Sequence, residues 1–219
     1  MQVYGRALLK IRKTDLQTQI DGLVDVQERP ADLRPIRERT GFALYGLLLI
    51  VSVSLWFIAI RAPLWLDETV SFVIIKDGLS QIPTRQGQPK VPAYPVILWS
   101  WTQIAGTSEL ALRIPSILAM LGAVYFLYRA ARELFNLEIA IIVAVVFCLH
   151  PFVILESIDA RQYAFVMLAT TSAIFALVRL RHSDSNWIAA LFGFAAACIV
   201  WFSLLSIVIL PAFAICFLL

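Results

Sequence analysis

Charge is scarce in this sequence. Of its 219 residues, 15% are Asp, Glu, Lys or Arg, while 60% are hydrophobic. Soluble domains carry about a quarter charged residues, so these proportions exclude a disordered chain and argue against a soluble globular domain. Cysteine is sparse as well. Cys148, Cys198 and Cys216 all lie in apolar runs without CxxC spacing, which excludes a disulfide framework and a zinc cluster and fits small buried side chains. No glycine-rich phosphate loop occurs. The formal net charge of +3 gives no sign of nucleic acid as a partner. A secretory leader is not indicated either, because the first apolar run begins only at Phe42, after a polar tail.

The charge-free runs carry the fold. No Asp, Glu, Lys or Arg occurs in Phe42–Ile60, Ile114–Tyr128, Ile139–Leu155, Gln162–Val178 or Ser185–Leu219. A bilayer core needs about 20 mostly apolar helical residues. The first four runs fit one span each, allowing for flanking residues at their ends. The fifth would be about 50 Å long as one helix at about 1.5 Å per residue, so it reads as one span and the start of another. The expectation is an all-α, polytopic transmembrane helix bundle, with a cytoplasmic tail at 1–41 and a membrane domain at 42–219. Its spans fall at about 42–60, 114–131, 137–155, 162–180, 187–203 and 204–219. The sequence stops inside an apolar run, so it is expected to be the N-terminal part of a longer protein.

Orientation follows from the arginines. Residues 1–41 carry eight Lys or Arg, and Arg29, Arg34, Arg37 and Arg39 lie near the first span. Positive charge marks the cytoplasmic side. Within the tail, Arg6–Val26 has an amphipathic stripe that suits a surface helix or a solvated segment equally well. An outer loop at 61–113 follows the first span. Its stretches Thr69–Ile82 and Pro92–Ala105 suit interfacial helices lying along the membrane. If Pro92–Ala105 instead crossed the bilayer, every later span would invert. The flat reading puts Arg129, Arg132, Arg179 and Arg181 on the side of the tail and Glu156 and Asp159 opposite, as positive-inside requires.

Two acidic clusters then share the outer face. One is Trp65-Leu66-Asp67-Glu68; the other runs from Glu156 through Asp159-Ala160-Arg161-Gln162-Tyr163. Arg85, Lys90, Arg113 and Arg161 are the cations within reach. Ionisable groups at membrane depth are costly and usually functional. Paired carboxylates among cations can bind a polar ligand at the interface, and Trp65 can stack on a sugar or anchor the helix. Glu109 and Arg113 are spaced one turn apart as an ordinary ion pair. His150, before Pro151, reads as a helix-end residue packed on its neighbours.

The order of these segments resembles a family. Leu66-Asp67-Glu68, Pro92-Ala93-Tyr94, Gly106-Thr107-Ser108-Glu109, Leu112-Arg113-Ile114-Pro115-Ser116, Tyr128-Arg129-Ala130-Ala131-Arg132-Glu133 and Asp159-Ala160-Arg161-Gln162-Tyr163-Ala164 are similar in order and spacing to the bacterial family 39 glycosyltransferases. These are relatives of the protein O-mannosyltransferases and the aminoarabinose transferases. The resemblance covers about 41–219. It implies a multi-pass enzyme of the plasma (inner) membrane with its site facing the periplasm. Such an enzyme moves a sugar from a polyprenyl-phosphate donor to a hydroxyl of an acceptor lipid, glycan or protein, inverting the anomeric centre.

By the resemblance, Asp67 is the catalytic base, with Glu68 as the competing carboxylate and Asp159 as a further acidic site residue; Lys90, Tyr94, Arg161 and Tyr163 lie on the substrate side, and Trp65 joins them if it stacks on the sugar. Asp159 stands where the family has Glu. Lys90-Val91-Pro92-Ala93-Tyr94-Pro95 stands where it has a His-Pro-Pro-Leu-Tyr-Tyr segment. The sequence fixes no cofactor; Asp67, Glu68 and Asp159 could together hold a divalent cation. The alternatives are a multi-span transporter, which needs charge along a midplane path, and a non-catalytic membrane scaffold, which needs neither Asp67 nor Asp159.

Overall fold

A computed structural model describes residues 43–48, 50–52, 54, 56, 65–85, 93–183 and 185–218. The tail at 1–41 and Lys90 lie outside the described residues. Helices follow in chain order: α1 (Ala43–Ser52), α2 (Leu66–Ile75), α3 (Ile82–Arg85), α4 (Ala93–Ala105), α5 (Glu109–Leu134), α6 (Leu137–Leu149), α7 (Pro151–Ile158), α8 (Tyr163–Leu180), α9 (Asn186–Phe202) and α10 (Ile209–Leu218). Short 3-10 turns, Leu79–Gln81 and Leu204–Val208, precede α3 and α10. No strand occurs among the described residues. The protein is an all-α membrane-helix protein.

α5 and α8 are long and apolar enough to cross a bilayer, and α6 with α7 makes a third candidate if the bent pair is one span. α4 has 13 residues, about 20 Å at about 1.5 Å per residue, well short of a core about 30 Å thick.

Small residues set the packing of the long helices. α8 lies between α5 and α9. Ala119 and Ala123 of α5 and Ala169, Ala173 and Ala176 of α8 are buried. A Cβ at Gly122 would stand 2.8 Å from Leu168 Cδ1, so the two helices touch where one has no side chain. Among lipid-facing helices such small residues permit close backbone approach, which tail-like side chains alone would not drive. α1 closes the other side of α5 and α6. Its Tyr45 ring stacks on Tyr128 at 4.3 Å, and Leu48 belongs to the same core as Met120, Val124 and Ala144.

Two prolines open the helical ladder, and side chains from elsewhere fill the gaps. Pro115 lies inside α5 and has no N–H for the carbonyl of Ala111 four residues back. The indole Nε1–H of Trp101, on α4, donates to that carbonyl at 2.8 Å. Pro151 acts on the third charge-free run. The single span expected at 137–155 is broken there, because a residue before proline is pushed out of the helical region. His150 is extended (φ −66, ψ 126), and α6 and α7 meet at 64°. His150 does not simply pack at a helix end: its Nδ1 accepts the Phe152 N–H at 3.2 Å and caps α7. Pro95 and Pro211 fall within the first turns of α4 and α10, where proline is tolerated.

Removing the indole donor leaves a buried carbonyl without its partner. Trp101→Phe is expected to cost about 1–3 kcal/mol, and Pro115→Ala, which restores the missing N–H, should recover part of that loss. Thermal unfolding of the three variants in detergent checks this. Equal losses for Trp101→Phe and the double variant would show that the indole matters only through its volume.

Candidate functional site

The site begins at the first turn of α2. Trp65 is extended and its backbone N–H donates to Glu68 Oε2 at 3.0 Å, the reciprocal half of a capping box. This folds the Glu68 side chain back under the helix start. Asp67, one residue earlier, points elsewhere: its side chain is 59% exposed, whereas Glu68 is fully buried.

Glu68 is held from three segments. Arg113 donates from Nε to Oε1 at 2.8 Å and from Nη2 to Oε2 at 2.6 Å, a two-pronged pair with the guanidinium 1% exposed. The Ala160 backbone N–H, in the turn between α7 and α8, donates to Oε1 at 3.1 Å. Arg113 sits one turn into α5, placed there by the Ser108 cap, whose Oγ accepts the Ala111 N–H at 3.2 Å. The i,i+4 spacing points to Glu109 as a partner of Arg113, and the two short side-chain bonds of its guanidinium go to Glu68. Burial alone would raise the Glu68 carboxyl, but Arg113 and the N–H groups of Trp65 and Ala160 hold it below the ordinary carboxylate range.

The turn after α7 carries the second cluster. Asp159 caps the end of α7, and the Arg161 N–H donates to its carbonyl at 2.8 Å. The Arg161 side chain reaches back across the site. Its Nη1 meets Asp67 Oδ2 at 2.8 Å, with 28% and 59% of the two side chains exposed. The guanidinium also lies 4.8 Å from the Tyr163 ring centre, with Nη2 3.4 Å from the Tyr163 hydroxyl. The Asp159 carboxyl is pushed up by burial and by the charge of Glu68, against the pull of Arg161 and Arg113.

Asp67, Glu68, Asp159, Arg161 and Tyr163 are therefore brought together. Trp65 starts the same helix with its side chain 66% exposed, while Tyr94 is buried edge-on to Phe165, 5.7 Å between ring centres. Two further residues belong to the neighbourhood. Arg113 is the partner that closes it, and Glu156, one turn before Asp159, has its Oε2 buried without a hydrogen-bond partner among the described residues. Both stand out in the sequence, Arg113 as a cation within reach and Glu156 as the start of the second acidic cluster. Asp67, Glu68 and Asp159 do not form a carboxylate cage for a divalent cation: no group of three His, Cys, Asp or Glu side chains able to hold a metal occurs among the described residues, and both Glu68 oxygens are engaged by N–H donors.

A bundle of apolar helices with an acid–arginine cluster gathered from α2, α5 and the α7–α8 turn defines a membrane protein with a polar site at helix ends. Over residues 88–219 the chain matches the dolichyl-phosphate-mannose-protein mannosyltransferase family. It belongs to that family and is a membrane glycosyltransferase of the mannosyltransferase type. The match includes Arg113, Asp159 and Arg161, and the Asp67–Glu68 pair lies upstream of it. No curated protein and no solved structure matches the chain.

Breaking the buried pair leaves a charge without its counterpart. Arg113→Ala is expected to destabilise the protein by about 3–5 kcal/mol, whereas Glu68→Gln with Arg113→Met, which removes both charges at similar volume, should recover most of that. Unfolding midpoints in detergent decide it; equal loss in the single and double variants would mean that the pair's charges do not matter to the fold.

Proposed function

We propose that this glycosyltransferase takes its sugar from a polyprenyl-phosphate donor and passes it, with inversion, to a hydroxyl of a lipid, glycan or protein at the periplasmic face of the inner membrane. The observation that supports this reading is the asymmetry between two adjacent carboxylates. Glu68 is sealed by four N–H donors, while Asp67 is exposed beside a cation. Only Asp67 can reach an acceptor hydroxyl, so it serves as general base. Glu68 holds the helix start in place.

The chemistry needs little more. The leaving group is a phosphate, which needs cations rather than a general acid, and Arg161 and Lys90 supply them. The sugar ring gains positive charge in the transition state, which the carboxylates Asp67 and Asp159 stabilise, as in glycoside hydrolysis. Trp65 and Tyr163 offer aromatic faces to the sugar. A transporter finds less support, since the described carboxylate–arginine cluster lies at helix ends and turns rather than along a midplane path.

Orientation is read from the arginines. Arg129 and Arg179 both approach Glu133, at 3.7 and 3.5 Å, at the ends of α5 and α8 far along the chain from the acidic cluster. With positive charge inside, the loops near Arg132 and Arg181 and the tail at 1–41 are cytoplasmic, and 61–113 and 156–161 face out. Single cysteines placed at positions 88 and 184 test this in intact cells. A membrane-impermeant reagent should label the first and not the second, and labelling at 184 would overturn the orientation.

Asp67→Asn keeps the shape of the side chain and removes its basicity. It should lower turnover by roughly 10²–10⁴ without weakening donor binding. Lys90→Ala should weaken donor binding by about 2–5 kcal/mol if the phosphate and ammonium are desolvated together. Turnover with synthetic polyprenyl-phosphate sugars, followed by mass analysis of the products, measures both. Near-normal turnover in Asp67→Asn would remove the base from this residue.

A further inference from the structure

Arg161 faces two anionic partners in the proposed reaction. In the structure its guanidinium holds Asp67 Oδ2 at 2.8 Å. In the transferase reading it must also neutralise the lipid phosphate. Lys90, the second cation of the proposed site, lies outside the described residues, and the neighbouring guanidinium cannot take over either task. The Arg113 guanidinium is committed to Glu68 through two short bonds and is 1% exposed. Nor can Glu68 substitute for Asp67, since its oxygens already accept four N–H groups. The two ion pairs of the site therefore differ in kind. One is buried and costly to break. The other is half-exposed and worth little when left alone.

We propose that Arg161 is a shared cation, held by Asp67 in the resting protein and passed to the donor's phosphate as the reaction proceeds, so that it acts as a positioning residue for the base as well as a ligand of the leaving group. The proposal rests on the donor class given under Proposed function.

The charge changes of the reaction drive this exchange. The bond from the anomeric carbon to the phosphate oxygen breaks, and its electron pair stays on that oxygen. The acceptor oxygen bonds the anomeric carbon, and its proton passes to Asp67. The phosphate thereby gains one negative charge while Asp67 loses one. A guanidinium between the two is drawn from the carboxylate to the phosphate, so the interaction grows in the transition state rather than in the ground state, which is what lowers a barrier. Tyr163 fits the movement. Its ring, 4.8 Å below the guanidinium, gives the cation a face to turn on that is indifferent to which anion it holds.

Sharing predicts competition, and competition is measurable without turnover. The full chain in detergent micelles is titrated with a polyprenyl monophosphate. Arg161→Gln should bind it about 10- to 100-fold more weakly, the range of a charge-assisted hydrogen bond. Asp67→Asn should bind it about two- to five-fold more tightly, the range of an exposed ion pair released. In the Arg161→Gln background, Asp67→Asn should change nothing. Arg161→Lys keeps the charge and serves if the Gln variant fails to fold; there the Asp67→Asn gain should persist at reduced size.

Unchanged or weaker binding by Asp67→Asn, with the wild type binding normally, would overturn the sharing and leave the transferase reading standing. An equal gain with and without Arg161 would mean direct repulsion between Asp67 and the phosphate, and would also overturn it. A wild-type protein that does not bind polyprenyl monophosphate at all would remove the donor class and the shared cation together.

Discussion

The Glu68–Arg113 pair is the constraint on which the arrangement of the site depends. A carboxylate and a guanidinium are withdrawn almost wholly from solvent, which costs several kcal/mol per ion unless every lone pair and proton finds a partner. The sequence meets that condition with groups distant along the chain: the helix start at Trp65, the second turn of α5 and the Ala160 turn. Because the penalty falls due whenever one partner is missing, the pair specifies which three segments must meet. Their meeting is what brings Asp67 within reach of Arg161.

Adjacent positions in a helix point in different directions, and the site uses this directly. Asp67 and Glu68 share a backbone placement but not an environment: one is exposed beside Arg161, the other is fixed by four N–H donors. A single residue could not serve both ends, since an oxygen saturated by N–H donors accepts no further proton and an exposed carboxylate anchors little. In the proposed transferase reading, neighbouring acidic residues divide anchoring from chemistry at small cost in chain length.

Much of this was legible in the sequence, and the failures have physical causes. Charge-free runs located the apolar helices because hydrocarbon tolerates no alternative. The two acidic clusters were visible as clusters. Their contact with each other was not, since the partner of Glu68 lies at Arg113 and an i,i+4 rule points to Glu109 instead. Helical spacing describes an isolated helix surface, whereas the Arg113 side chain faces a core. The break at His150–Pro151 was signalled by the proline but hidden by a run of apolar residues long enough for one span.

The interruptions in the helices explain why the acid–arginine cluster sits where it does. A continuous helix satisfies its own backbone and leaves nothing for a ligand or a distant side chain. Pro115 frees the Ala111 carbonyl, which Trp101 then ties to α4. Pro151 ends α6, His150 caps α7, and α7 delivers Asp159–Arg161 to the first acidic pair. Each break would be costly in open hydrocarbon and is tolerable where another part of the protein supplies the missing partner. The same requirement selects for polar side chains near the breaks. Broken helices and charged residues thus gather in one neighbourhood, because each makes the other affordable in a membrane.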